Sequence, residues 1–133
     1  MIMSIDVMIP TRIVCKIKAD EIVLPGLTGQ IGVLSGHATL ITGLDTGLLR
    51  IKLNGKWTPI ILCGGLAEID GDHITVLAND VEELNNVELN EATQQLESIT
   101  ALIENAKTSK ERLDASIELK KATARLEATN YLS

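Results

Sequence analysis

Phenylalanine is absent from this chain of 133 residues, and Trp57 and Tyr131 are its only aromatic side chains. The interior must therefore be built from Ile, Leu, Val and Ala, which pack finely and carry no polar edge that needs a partner. An excess of basic charge is also absent. The formal net charge is −6, which gives no electrostatic basis for holding a phosphate backbone and argues against RNA and DNA as partners. Cysteine is scarce: Cys15 and Cys63 each sit in an apolar stretch, the pattern of buried thiols in a reducing compartment rather than of a secreted disulfide framework. The uncharged run Trp57–Ala67 contains one Pro and two Gly and is too short to span a bilayer, so direct membrane insertion is not expected. Met1–Pro10 carries Asp6 and no basic flank, so neither a signal peptide nor a transit peptide is expected there.

All ten glycines and all three prolines lie before Asp72. That break divides the chain into a β-rich body, residues 1–85, and a pair of helices, residues 86–133. In the body, Ile5, Val7 and Ile9 alternate with other residues, Ile13–Leu24 is rich in β-branched residues, and His73–Ala78 alternates around Ile74 and Val76, which predicts short strands. Asn54-Gly55 and Asp70-Gly71 each separate two such runs and accept the positive φ of tight hairpin turns. Consecutive antiparallel strands at this spacing predict a β-sandwich or flattened barrel. Pro59 cannot donate to a ladder, so its strand is expected at an edge or a bulge.

After Asn85 the period changes. Leu89, Ala92, Leu96, Ile99, Ile103 and Ala106 form a heptad-like stripe on one helical face. A second helix is predicted from Thr108, because Thr108-Ser109-Lys110-Glu111 has capping-box spacing. Ala115, Leu119, Ala122 and Leu126 form one stripe of that helix and Leu113, Ile117, Ala124 and Ala128 a flanking one, so its apolar face is broad and rich in alanine. Glu88–Glu104 holds four acids and no base, whereas Lys110–Arg125 holds five bases against three acids. Opposite charge favours antiparallel pairing of the two helices and leaves Lys120, Lys121 and Arg125 for an acidic partner. Ordering some forty residues costs on the order of 1 kcal/mol each, against roughly 1.5–3 kcal/mol for each large apolar side chain buried in the seam. The hairpin is thus expected to be marginal alone and to take its conformation from what it docks against.

Constellations that could carry chemistry are thin. Gly26, Gly29 and Gly32 lack the Gly-Lys-Ser/Thr and the strand–turn–helix context of a phosphate loop and read as turn glycines. Ser35-Gly36-His37 could pair a nucleophile with a base, but no orienting acid or oxyanion signature stands nearby in the sequence. The histidines and cysteines never share ligand spacing, so no metal is expected. Asp80-Val81-Glu82-Glu83 lacks the ligand repeat of a calcium loop and reads as a solvated connector.

Ala19-Asp20-Glu21-Ile22-Val23-Leu24-Pro25-Gly26-Leu27-Thr28-Gly29-Gln30-Ile31-Gly32-Val33-Leu34-Ser35-Gly36-His37-Ala38 closely resembles the signature of the ε subunit of rotary ATP synthases. Gly47-Leu48-Leu49-Arg50-Ile51, Gly64-Gly65-Leu66-Ala67-Glu68-Ile69 and Ile74-Thr75-Val76-Leu77-Ala78-Asn79-Asp80 follow in the family's order, and Ala124-Arg125-Leu126-Glu127-Ala128 is similar to its chloroplast branch. Thr39 stands where Pro is usual after His-Ala, and Ser35 where Pro or another turn residue occurs. The resemblance implies a ten-stranded flattened β-sandwich with a helical hairpin, bound to the γ subunit and the c-ring of the rotor. It implies no catalytic residue and no cofactor. It places Gln30 and His37 toward the c-ring, and makes Arg112, Lys120, Lys121 and Arg125 the cations that press transiently on the catalytic β and α subunits to inhibit ATP hydrolysis. Leu113-Asp114 is followed by Ala115-Ser116-Ile117-Glu118, so the Arg-Ala pair through which some bacterial relatives bind ATP is missing.

The implied place is the stromal side of a chloroplast thylakoid, or the cytoplasmic side of a cyanobacterial one, as a peripheral subunit of a proton-transporting complex. Two rivals remain on the residues alone. One is a stand-alone coiled-coil scaffold or adaptor, and the other a small enzyme using the glycine-rich loop and His37.

Overall fold

The computed structural model describes residues 2–82 and 89–131, the side chains of residues 89–92 excepted. Its strands are β1 (Met3–Ile9), β2 (Arg12–Ala19), β3 (Glu21–Gly26), β4 (Gly29–Leu34), β5 (Leu40–Leu53), β6 (Lys56–Asp70), β7 (His73–Ala78) and β8 (Val81–Glu82). Two helices follow, α1 (Leu89–Glu104) and α2 (Ser109–Ala128). The strand order is β2-β1-β7-β6-β5-β3-β4, with β8 paired to β6. One pairing departs from the antiparallel expectation: β1 and β7 run parallel, Ile5 opposite Ile74 and Val7 opposite Val76. β2 occupies one side of β1 through their hairpin, and the free side takes β7 in the direction that the β6–β7 hairpin dictates.

Asn54 and Gly55, with φ of 52° and 78°, join β5 to β6 across the closing pair Leu53–Lys56, the two positive φ values of a type I′ turn. The other hairpin is centred one residue later than Asp70-Gly71 suggests. Asp70 pairs with His73, and Gly71, with φ of 60°, occupies the first central position, where a type II′ turn needs glycine. Pro59 lies opposite Arg50 on β5. On its other side β6 is paired only at Ile61–Leu62 and Gly65–Asp70, so the missing N–H falls on a locally open edge.

The resemblance implied ten strands, and the described residues form eight. The difference lies in β5 and β6, of 14 and 15 residues, each of which runs unbroken through the fold of the sheet and serves both layers. Gly64 and Gly65 make that passage possible. Their φ values are 77° and 141°, and a Cβ on Gly65 would lie 2.2 Å from the Leu77 carbonyl oxygen.

Period-two alternation fills the interior. Met3, Ile5 and Val7 of β1, Ile22 and Leu24 of β3, and Ile74 and Val76 of β7 are fully buried in one aliphatic core with Leu49, Leu62 and Ile69. Ile61 and Leu62 are adjacent on β6 and both at 0% exposure, which a strand allows only if each face is covered. Leu62 points into the sandwich. Ile61 points outward and, with Leu48 directly opposite it on β5, packs against Ala124, Ala128 and Tyr131.

α2 therefore lies on the outer face of β5 and β6. Its alanines let the helix backbone approach the sheet closely, and the stripe containing them divides: Ala124 and Ala128 are buried, whereas Leu113 and Ile117 lie beyond the seat and are exposed. Thr108 is the N-cap, accepting from the Glu111 amide at 3.1 Å. The Glu111 carboxylate accepts from the Lys107 amide at 2.8 Å, one residue before the donor that a full capping box would use.

The two faces of β6 give a separable expectation. Leu62→Ala should destabilise the whole body by about 2–5 kcal/mol, read as a lower unfolding midpoint. Ile61→Ala should chiefly accelerate amide exchange in α2 while exchange in β1 and β7 stays slow. Equal effects of both on the body would contradict the assignment of the two faces.

Candidate functional site

The basic face of α2 is engaged with the body. Lys120 Nζ donates to both carboxylate oxygens of Asp45 at 3.0 Å, an exposed pair worth about 0–1 kcal/mol. Arg125 meets Glu82 in a two-pronged bond, Nε to Oε2 at 2.7 Å and a terminal nitrogen to Oε1 at 2.5 Å. The fork geometry and partial burial make it the stronger contact, and the bonds to Glu82 push the guanidinium pKa further up, against the opposing pull of burial. Arg125 also reaches Gln95 of α1 at 3.4 Å. Lys121 pairs within its own helix with Glu118 at 3.4 Å, and Arg112 is exposed. Of the acids expected to pair the helices, Glu88 and Glu91 lie outside the described side chains; among the described residues no ion pair joins α1 to α2. Lys120 and Arg125 face the sheet, where carboxylates of the body meet them.

The second cluster forms at the far end of α2. Arg50, Lys52 and Trp57 stand on the same outer face as Leu48. One terminal nitrogen of Arg50 donates to the Tyr131 hydroxyl at 2.5 Å and the other to Gln30 Oε1 at 3.1 Å. Its guanidinium carbon sits 5.4 Å from the Tyr131 ring centre and 5.9 Å from that of Trp57, within cation–π range. The two rings meet edge to face at 6.0 Å, so the chain's only tryptophan and only tyrosine pin the end of the helical hairpin to the body.

Gln30 and His37 are not brought together. Gln30 is the second residue of β4, opposite Pro25, and not part of the loop that carries His37, which begins beyond the other end of that strand. The His37 loop is held by Asp72 in the β6–β7 turn: Oδ1 accepts from the Ser35 hydroxyl at 2.8 Å and from the Gly36 amide at 3.0 Å. These bonds, the Ser35 hydroxyl first, lower the Asp72 carboxyl pKa. His37 Nδ1 lies 2.7 Å from the Ala38 carbonyl oxygen. Ser35 thus serves Asp72 and not His37, and no nucleophile–base pair forms. Among the described residues no three His, Cys, Asp or Glu side chains converge as a metal site. Cys15 and Cys63 are free, and burial raises both thiols above their ordinary pKa.

The sheet's other outer face carries an apolar row that sequence reading did not isolate. Register sets Ile13 opposite Met8, Met8 opposite Leu77, Leu77 opposite Leu66, and Leu66 opposite Gly43, over which Leu27 lies. Ile13, Leu77, Leu66 and Leu27 are each more than half exposed. A contiguous exposed apolar row of this kind is characteristic of contact surfaces. Asp45 has nothing in its local sequence to distinguish it from other surface acids. Glu82, read as part of a connector, belongs to β8.

A family described as ATP synthase, Delta/Epsilon chain, beta-sandwich domain matches residues 2–84. The chloroplastic ATP synthase epsilon chain of Phaeodactylum tricornutum is 74% identical over 133 residues, covering 100% of both chains. That of Thalassiosira pseudonana is 72% identical at the same coverage, and that of Porphyra purpurea 41% identical over 100% of this chain and 99% of its own. Among solved structures, a chain of the Euglena gracilis mitochondrial ATP synthase (OSCP/F1/c-ring, rotational state 1) superposes with a TM-score of 0.79 at 19% identity, over 96% of this chain and 81% of that one. A chain of the Tetrahymena thermophila mitochondrial ATP synthase central stalk/c-ring gives 0.62 at 13% identity, over 96% of each. At these identities the structural likeness speaks for the fold alone.

The Asp72 clamp has a pH signature. Its folded pKa lies below the unfolded one, so the loop's restraint is complete above the ordinary carboxylate range and is lost as pH falls through the lowered value. The Gly36 amide resonance of the wild-type chain should keep its neutral-pH shift until pH drops below that range. Asp72→Ala, which removes the acceptor of both bonds, should show the released position already at pH 7, and an unchanged Gly36 resonance in that variant would remove the clamp.

Proposed function

The chain belongs to the ATP synthase epsilon-chain family, whose members are non-catalytic subunits of that complex, and from this premise we propose how its two parts divide the work. Residues 1–85 form a stiff platform that ties the γ subunit to the c-ring at the foot of the rotor. Residues 86–133 form a regulatory hairpin that restrains wasteful ATP hydrolysis. The platform's place is the stromal side of the chloroplast thylakoid, peripheral to the membrane. Family membership decides against the stand-alone scaffold.

One observation carries the regulatory half of the proposal. Lys120 and Arg125, cations suited to acidic segments of the catalytic β and α subunits, are held here by Asp45 and Glu82. Two sets of carboxylates, one on the body and one on the partner, then compete for the same bases, and the arm is stowed or extended according to which set wins. Lys121 and Arg112 add to the extended side, since among the described residues neither is tied to the body. For the platform, the row Ile13, Met8, Leu77, Leu66 and Leu27 supports the γ-binding face, while Gln30 and the clamped loop of His37 are offered to the c-ring.

Two variant sets separate stowing from inhibition. Asp45→Asn with Glu82→Gln frees the bases without removing them, and inhibition of ATP hydrolysis in a reconstituted complex should deepen. Lys120→Ala with Lys121→Ala and Arg125→Ala should relieve inhibition at equal occupancy, without loss of assembly. The reading fails if both sets move inhibition in the same direction. Leu66→Asp with Leu77→Asp, at solvated positions, should leave the fold intact and weaken retention on the γ subunit about tenfold or more, as expected when a charge enters an apolar contact. Undiminished retention would move the γ contact elsewhere.

A further inference from the structure

We propose that Arg50 couples the rotor-facing edge of the platform to the seat of the helical arm, by sharing one guanidinium between Gln30 and Tyr131. The inference rests on the reading that Gln30 is offered to the rotor, and adds to it a route by which engagement of that edge loosens the arm.

The route is set by register. Arg50 on β5 stands opposite Val23 on β3, which stands opposite Gly32 on β4. Gln30 lies two residues before Gly32, on the same face, and the glycine leaves that face of β4 bare beside it. The Arg50 side chain spans β3 and reaches Gln30 Oε1, while its other terminal nitrogen reaches the Tyr131 hydroxyl. A guanidinium is a rigid planar fork, so the two bonds are not independent: turning one nitrogen turns the other.

The fork is also poised to move. Its Nε is buried with no hydrogen-bond partner among the described residues, so this orientation forgoes one donor and is fixed by Gln30, Tyr131 and the two flanking rings. A partner that takes the Gln30 amide carbonyl removes one of the two acceptors. The fork is then free to turn toward solvent, the bond to Tyr131 weakens, and the end of α2 loses the contact that pins it beside Trp57. Rotor contact at Gln30 therefore favours release of the arm.

The isolated full-length chain carries its own reporter, because Trp57 is its only tryptophan and touches Tyr131. Gln30→Ala should accelerate amide exchange over residues 124–131 about three- to tenfold and shift Trp57 emission to the red. Arg50→Lys, which keeps the charge and loses the fork, should do the same, and adding Gln30→Ala to Arg50→Lys should then change nothing further. Tyr131→Phe should reproduce the shift with the ring retained. The proposal is overturned if Gln30→Ala leaves exchange and emission unchanged, or if its effect multiplies with that of Arg50→Lys. Failure of the chain to bind a γ subunit would count against the proposed function instead, and the cycle is measured without that subunit.

Discussion

The structure depends on a strand pair, β5 and β6, that buries both of its faces. Where Leu48 pairs with Ile61 on the outside and Leu49 and Leu62 fill the inside, the sheet carries two apolar surfaces of unequal strength. The inner one is closed by the rest of the sandwich. The outer one is small: Leu48 and Ile61, at roughly 1.5–3 kcal/mol each, are covered by a helix that adds only alanine methyls and Tyr131. The entropy of ordering the hairpin, on the order of 1 kcal/mol per residue, opposes that seat. Two salt bridges and an aromatic clasp supplement it, and all of them sit at the periphery where another protein can compete.

This asymmetry links composition to behaviour. A chain without phenylalanine and with two aromatic residues in all does not place them in the core. Trp57 and Tyr131 are both used at the junction between platform and arm, together with Arg50. The platform needs no aromatic mass because Ile, Leu and Val alternate cleanly on three of its strands. The arm as proposed needs a contact that is specific yet displaceable, and an edge-to-face pair with a shared guanidinium suits that proposal better than a deep aliphatic plug.

Much of this was legible in the residues. The loss of glycine and proline after Asp72, the Asn54-Gly55 turn and the start of α2 at Thr108 all follow from local backbone chemistry, which acts over a few residues and leaves a local trace; the strand of Pro59, expected at an edge or a bulge, is instead interior to the sheet and open only beside that residue. What was not legible depends on pairing across distance. The parallel β1–β7 contact, the one-residue displacement of the Gly71 turn and the unbroken length of β5 and β6 come from closing the sheet. The same holds for the candidate site. The cations of α2 announce themselves as a charge cluster, but Asp45, Glu82 and Arg50 acquire their roles only when strands far apart in sequence are brought under the helix, and Gln30 is separated from His37 by the length of β4.

The central claim is that inhibition requires the arm to leave this seat. Its most direct test is a short, reducible bridge between cysteines introduced as Leu48→Cys and Ala128→Cys, with Cys15 and Cys63 changed to Ser, followed by ATP hydrolysis in the reconstituted complex. The bridged chain should assemble normally and fail to inhibit, with inhibition restored on reduction. A bridged chain that inhibits as strongly as the reduced one would contradict the account.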